Sequence, residues 1–147
     1  MARVNKYFLV SGIISLLLGA AHTWWGITNA FSEITQISAL SRASFEASWY
    51  QVGATLFVGG IALLIHSLGR FLPGSVPTVV LAIYLVNFIV GLLVLGVQYP
   101  HLLAQTVPQL VLFSMLLVLL ALGHRVRGEH TPNNSLQPTS PLTRRRV

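Results

Sequence analysis

The sequence predicts an all-α integral membrane protein, a bundle of four transmembrane helices in up-down-up-down order. Three observations predict it. First, the chain is 54% hydrophobic and only 8% charged, with a mean hydropathy of +0.73. A soluble domain carries about a quarter charged residues and needs them to face water. Second, no Lys, Arg, Asp or Glu occurs between Lys6 and Glu33, between Glu46 and Arg70, or between Arg70 and Arg125. Third, small and polar residues recur at alternating spacings of three and four, the period of a helical packing seam.

The first two uncharged stretches are each long enough for one helix through roughly 30 Å of hydrocarbon, which takes about 20 residues. The third is about twice as long. Pro100 and Pro108, with Gln98, His101, Gln105 and Gln109 around them, divide it into two spans. The expected spans are residues 7–29, 47–68, 77–98 and 107–123, within a transmembrane domain of residues 1–127. Helix is the expectation for each, because backbone groups in lipid must be satisfied within their own segment. The runs are continuous and Leu-rich, unlike the alternating strands of about ten residues in a membrane barrel. A cleaved signal peptide is the rival reading of the first segment, since residues 1–6 are basic and Gly19-Ala20-Ala21 is a run of small residues. Against it, the apolar run continues through Trp24, Trp25 and Ile27 to a full span.

Between the spans, residues 31–46 form the longer loop, with Ile34, Ile37, Leu40 and Phe45 hinting at a short interfacial helix. Residues 70–77 form a tight turn at Pro73-Gly74. Residues 128–147 are rich in Pro, Ser, Thr and Asn, end in three arginines, and are expected to be a disordered cytoplasmic tail.

Charge sets the expected orientation. Of the nine Lys and Arg residues, all but Arg42 fall on one side of the four-span frame. By the positive-inside rule that side is cytoplasmic, so both termini are expected inside, with the chain in the cell inner (plasma) membrane. Trp24, Trp25, Trp49, Tyr50 and Tyr99 fall toward the outer boundary, as an aromatic belt does. The net charge of +6 then needs no nucleic-acid partner, since the cations lie against anionic headgroups. The expected partners are membrane lipids, together with further copies of the chain or another membrane protein. The absence of cysteine excludes disulfides and thiolate metal sites.

The stripes carry the finer reading. In span one, Gly12, Ser15, Gly19, His22, Gly26 and Asn29 share one helix face. Glu46, Tyr50, Gly53, Phe57 and Gly60 do so in span two, and Tyr84, Asn87, Gly91, Val94, Gln98 and His101 in span three. Helices in lipid associate by close backbone approach at small residues and by interhelical hydrogen bonds. Gly12, Ser15, Gly19, Gly26, Gly53, Gly60 and Gly91 are therefore expected at helix contacts, in left-handed packing near about +20°. The polar members suggest a small pocket opening to the outer side. It would be formed by His22, Tyr50, Gln51, Tyr84 and Asn87, with Asn29, Glu46, Gln98 and His101 at its mouth. His22 lies about 10 Å below the outer end of its span by helical rise. A buried His is commonly a structural hydrogen-bonding group, here with Tyr50 or Gln51 as expected partner. An ionisable group inside a membrane is also a functional candidate.

Other chemistries fit less well. Haem between helices needs two His at one level on facing helices, and His22, His66 and His101 lie at different depths. A metal needs three or four converging ligands, and no such signature is present. Glu33 and Glu46 lack a supporting nucleophile or base and are expected to pair with Arg42. No catalytic, cofactor or metal residue is assigned.

The segments Leu18-Gly19-Ala20-Ala21-His22-Thr23 and Ser48-Trp49-Tyr50-Gln51-Val52-Gly53 resemble those of small four-span bacterial membrane proteins, with a Gly-x-x-His in the first helix and a Trp opening the second. The topology is similar to that of DoxX-like proteins, with four spans and comparable length. This resemblance covers about residues 7–123 and implies fold and location, with no chemistry attached. The four-span glutathione and eicosanoid enzymes use internal Glu and Arg residues, which these spans lack. The expected function is a small-ligand-binding or accessory membrane subunit, non-enzymatic. The rivals are a membrane enzyme or redox component acting on a lipid or quinone-like substrate, and a minimal oligomeric channel or transporter.

Overall fold

The computed structural model describes residues 4–33, 38–69, 72–100 and 103–128. His101, Ile34 and Ile37, and the tail from 129 to 147, lie outside the described residues. Helix α1 spans Lys6–Trp25 and continues through a π-helical turn, Gly26–Ala30, into the three-residue α2, Phe31–Glu33. Helix α3 spans Ala39–Gly69, α4 Val76–Val97 and α5 Leu103–Gly128. All four long helices are long and apolar enough to cross a membrane.

Local chemistry accounts for several boundaries. Asn5 caps α1, its side-chain oxygen accepting from the backbone N–H groups of Tyr7 and Phe8 at 3.1 and 3.3 Å. Pro77 sits at the start of α4, where its missing N–H costs nothing. Two boundaries differ from the sequence expectation. α3 begins at Ala39, so Leu40 and Phe45, expected in the loop, lie instead in the first turns of the spanning helix itself. Its surface ion pair, Arg42 Nε to Glu46 Oε1 at 2.8 Å, has the i,i+4 spacing that suits a helix. α5 begins at Leu103, so Pro108 lies inside the helix and does not bound it.

The helices pack as an antiparallel bundle. Along α1 and α3, contacts pair Gly12 with Gly60 and Leu64, Gly19 with Gly53, and Gly26 with Trp49. One number rises as the other falls, so the two run in opposite directions. α5 and α4 pair in the same sense, Thr78 with His124 and Phe88 with Phe113. The core joins Phe8 of α1, Leu56 and Leu63 of α3, Val80 and Tyr84 of α4, and Leu116 and Leu120 of α5.

The glycines of the α1–α3 seam show why the sequence needs them. A Cβ on Gly12 would sit 2.9 Å from the Gly60 carbonyl oxygen, and one on Gly60 would sit 3.0 Å from the Gly12 carbonyl oxygen. The two backbones touch, which supplies the close van der Waals contact that replaces the hydrophobic effect inside lipid. At the other extreme, Gly91 and Gly96 of α4 have nothing within 4 Å of where a Cβ would be.

At the end where α1 begins and α5 finishes, the bundle is closed. Asn5 Nδ2 donates to the Gly123 carbonyl at 3.0 Å. Phe8 lies edge-on to His66 at 5.7 Å and to His124 at 5.3 Å, and Gly123 leaves room for its ring. His124 Nε2 lies 3.1 Å from Thr78 Oγ1. All four long helices therefore meet around one phenyl ring.

Candidate functional site

A groove lies between α3 and α4, with a volume of about 430 Å³, within the range usual for small-molecule sites. From α3 it is walled by Ala54, Thr55, Val58 and Ala62, with Gln51 at one end. Val79, Val80 and Ile83 of α4 form the facing wall. The small residues make the hollow, since Ala62 and Gly59 present almost no side chain to it. The surface is almost wholly apolar. The Thr55 hydroxyl contributes little polarity, because it donates to the Gln51 carbonyl of its own helix at 2.8 Å.

Tyr84 closes the groove at its inner wall. It is fully buried, lies over Gly59, and its hydroxyl ties three helices. It lies beside Ser15 Oγ of α1 and donates to the Leu56 carbonyl of α3 at 3.2 Å. Ser15 Oγ also donates to that carbonyl, at 2.9 Å. One carbonyl and two hydroxyls thus satisfy one another in the middle of the bundle, where an unmatched polar group is expensive.

Beyond Tyr84 the α4 helix parts from α3. Asn87 is exposed and stands one turn beyond Ile83, hence on the groove side of α4. Its Nδ2 donates to the Ile83 carbonyl at 2.9 Å. Gln98 is exposed further along. The face of α4 that walls the groove is therefore uncovered toward its Val97 end.

His22 belongs to a second assembly, an aromatic cluster on α1, α2 and α3. Its ring stacks on Trp49 at 4.2 Å with the planes 7° apart. The Trp49 indole N–H donates to the His22 carbonyl at 2.9 Å. Trp25 stacks on Trp49 at 5.5 Å, and Phe31 meets Phe45, Trp49 and Tyr50 edge-on. The π-helical turn inserts an extra residue per turn before Phe31 and so re-aims it into this cluster. His22 Nε2 is buried without a hydrogen-bond partner.

The nominated pocket residues thus fall into two groups. Gln51 and Tyr84 share the groove, with Asn87 one turn beyond. His22 and Tyr50 join the aromatic cluster. Glu46 pairs with Arg42, and Asn29 is exposed, its Nδ2 donating to Thr28 Oγ1 at 2.7 Å. No hydrogen bond or ring contact joins His22 to Tyr50, Gln51 or Asn87, and its neighbour is Trp49. Trp49 is legible in the sequence only as a belt residue, and the wall residues Ala54, Val58, Ala62 and Val79 carry no polar signal. Among the described residues no three His, Asp or Glu side chains stand close enough to hold a metal ion.

Four packed apolar helices, each long enough to span a bilayer, define this chain as a multi-pass membrane protein. No protein-family model, curated protein or solved structure matches it.

Proposed function

We propose that this protein is a small-ligand-binding or accessory membrane subunit whose ligand enters the α3–α4 groove sideways from the bilayer. The observation that carries this reading is the groove itself, an apolar hollow of about 430 Å³ in a bundle that is otherwise tightly joined at Tyr84. Its walls suit an alkyl or isoprenoid chain, and Gln51 supplies a polar end. The Lys and Arg distribution supports cytoplasmic termini, so the Asn87 end of the groove lies toward the outer leaflet. The sequence rivals receive less support. A channel needs polar lining through its full depth, and the groove is apolar between Gln51 and Tyr84.

Native mass spectrometry of the full chain, followed by chemical identification of what is released, tests the reading. A stoichiometric chain-bearing molecule is expected. Ala62→Phe fills the groove and should abolish its retention. Equal retention by that variant would sink the proposal.

A further inference from the structure

Asn87 is an amide in hydrocarbon. α4 has 22 residues, about 33 Å of helix, and Asn87 lies eleven residues, about 16 Å, from Val76. That is the middle of the bilayer. One amide hydrogen goes to the Ile83 carbonyl, and no other described residue bonds the side chain, which leaves a donor and the Oδ1 acceptor unmatched on the exposed face that continues the groove wall. Leaving such groups unmatched in an apolar medium is costly. Tyr84 does not relieve it, because its hydroxyl is already engaged with Ser15 and Leu56. Gly91, a turn further along, leaves open space beside the backbone.

Two physical limits then narrow the ligand class. The polar part of a phospholipid stays at the edge of a core roughly 30 Å thick, and its methylenes offer Asn87 nothing. A charged group at mid-depth would need a counter-charge, yet no Lys, Arg, Asp or Glu lies between Glu46 and Arg70 or between Arg70 and Arg125. Resting on the groove reading above, we infer that the ligand is a neutral amphiphile whose uncharged carbonyl or hydroxyl group meets Asn87 at mid-depth while its chain lies against Val58, Ala62 and Val79. Quinone-type and long-chain alcohol molecules have this chemistry, and both cross the bilayer core freely.

The full chain in nanodiscs is titrated with a decyl-substituted benzoquinone, with hexadecanol and with dioleoyl phosphatidylglycerol, and occupancy is read by native mass spectrometry. Saturable binding of the two neutral probes, undisturbed by the phospholipid, is expected. Asn87→Leu should weaken both neutral probes roughly tenfold, the worth of one hydrogen bond, and Asn87→Gln should restore most of the loss. Unchanged affinity in Asn87→Leu, or displacement of the neutral probes by phosphatidylglycerol, overturns the inference. So does an Asn87→Leu variant that loses an oligomer and keeps probe binding, because a second copy then covers the amide. Ala62→Phe separates the two levels. If it abolishes binding while Asn87→Leu changes nothing, the groove stands and the mid-depth contact falls; if Ala62→Phe changes nothing, the groove itself falls.

Discussion

α3 has two neighbours and treats them differently. Against α1 it makes a seam with backbone contacts at Gly12–Gly60 and Gly19–Gly53, continued where the Trp49 ring lies on Gly26. Against α4 it makes contact at the level of Leu63, Gly59 and Leu56 and then withdraws. The burial follows suit, with 28% of the apolar stretch of the first span buried against 11% of that of α4. The α4 stripe also includes a glycine, Gly91, so glycine alone does not make a tight interface. The difference lies in what stands opposite. Gly12 meets Gly60, and Gly19 meets the Gly53 carbonyl, so small residues face small residues. Gly91 has no neighbour within reach. Where Tyr84 meets Gly59, a large ring against a glycine holds α4 at the Val76 end, and a gap remains above it.

This contrast can be broken at several points. The largest effect is expected at the tight seam. Gly60→Leu must push the α1 backbone away and should destabilise the protein by about 3 kcal/mol, read as a lower midpoint in detergent denaturation. The matching change in the open region, Gly91→Leu, should alter stability by less than about 0.5 kcal/mol. An equal response at the two glycines would remove the distinction. Next comes the tie between the pairs. Tyr84→Phe leaves Ser15 and the Leu56 carbonyl with each other and should cost about 1 kcal/mol. In a double-mutant cycle with Ser15→Ala the losses should be less than additive, since both hydroxyls serve one carbonyl. Trp49→Phe keeps most of the stack on His22 and deletes the indole donor to its carbonyl. A loss near 1 kcal/mol is expected, together with a shift in the near-ultraviolet circular dichroism from the Trp25–Trp49 stack. The smallest effect belongs to the exposed pair, where Glu46→Gln should change stability by no more than about 0.5 kcal/mol and respond to salt.

The fold was legible because lipid imposes strong rules. Charge-free stretches mark spans whatever the tertiary packing, since a charge in hydrocarbon is prohibitive and an unpaired backbone group nearly so. The small-residue face of α1 was legible for a related reason: glycine at heptad spacing is what close backbone approach requires. Pro108 misled as a boundary because a helix can absorb a proline in its early turns inside a membrane, where neighbouring groups make good the lost bond. The candidate site was only partly legible. Gln51, Tyr84 and Asn87 stand out as polar residues in apolar helices. Periodicity gives the face of a helix on which each lies and leaves open which neighbour that face meets, and so it grouped them with His22.

The sequence by itself therefore determined the four spans, the asymmetry of positive charge and the small-residue face on α1. Each follows from the cost of moving a single group into lipid, which no partner changes. Only the tertiary structure decided that the α1 stripe mates with α3 while the α4 stripe stays open. The same structure seats His22 on Trp49 and makes a hollow of Ala54, Ala62 and their neighbours. Those outcomes depend on which two surfaces meet and how well their shapes fill each other. That is a property of pairs of helices, and no spacing within one helix contains it.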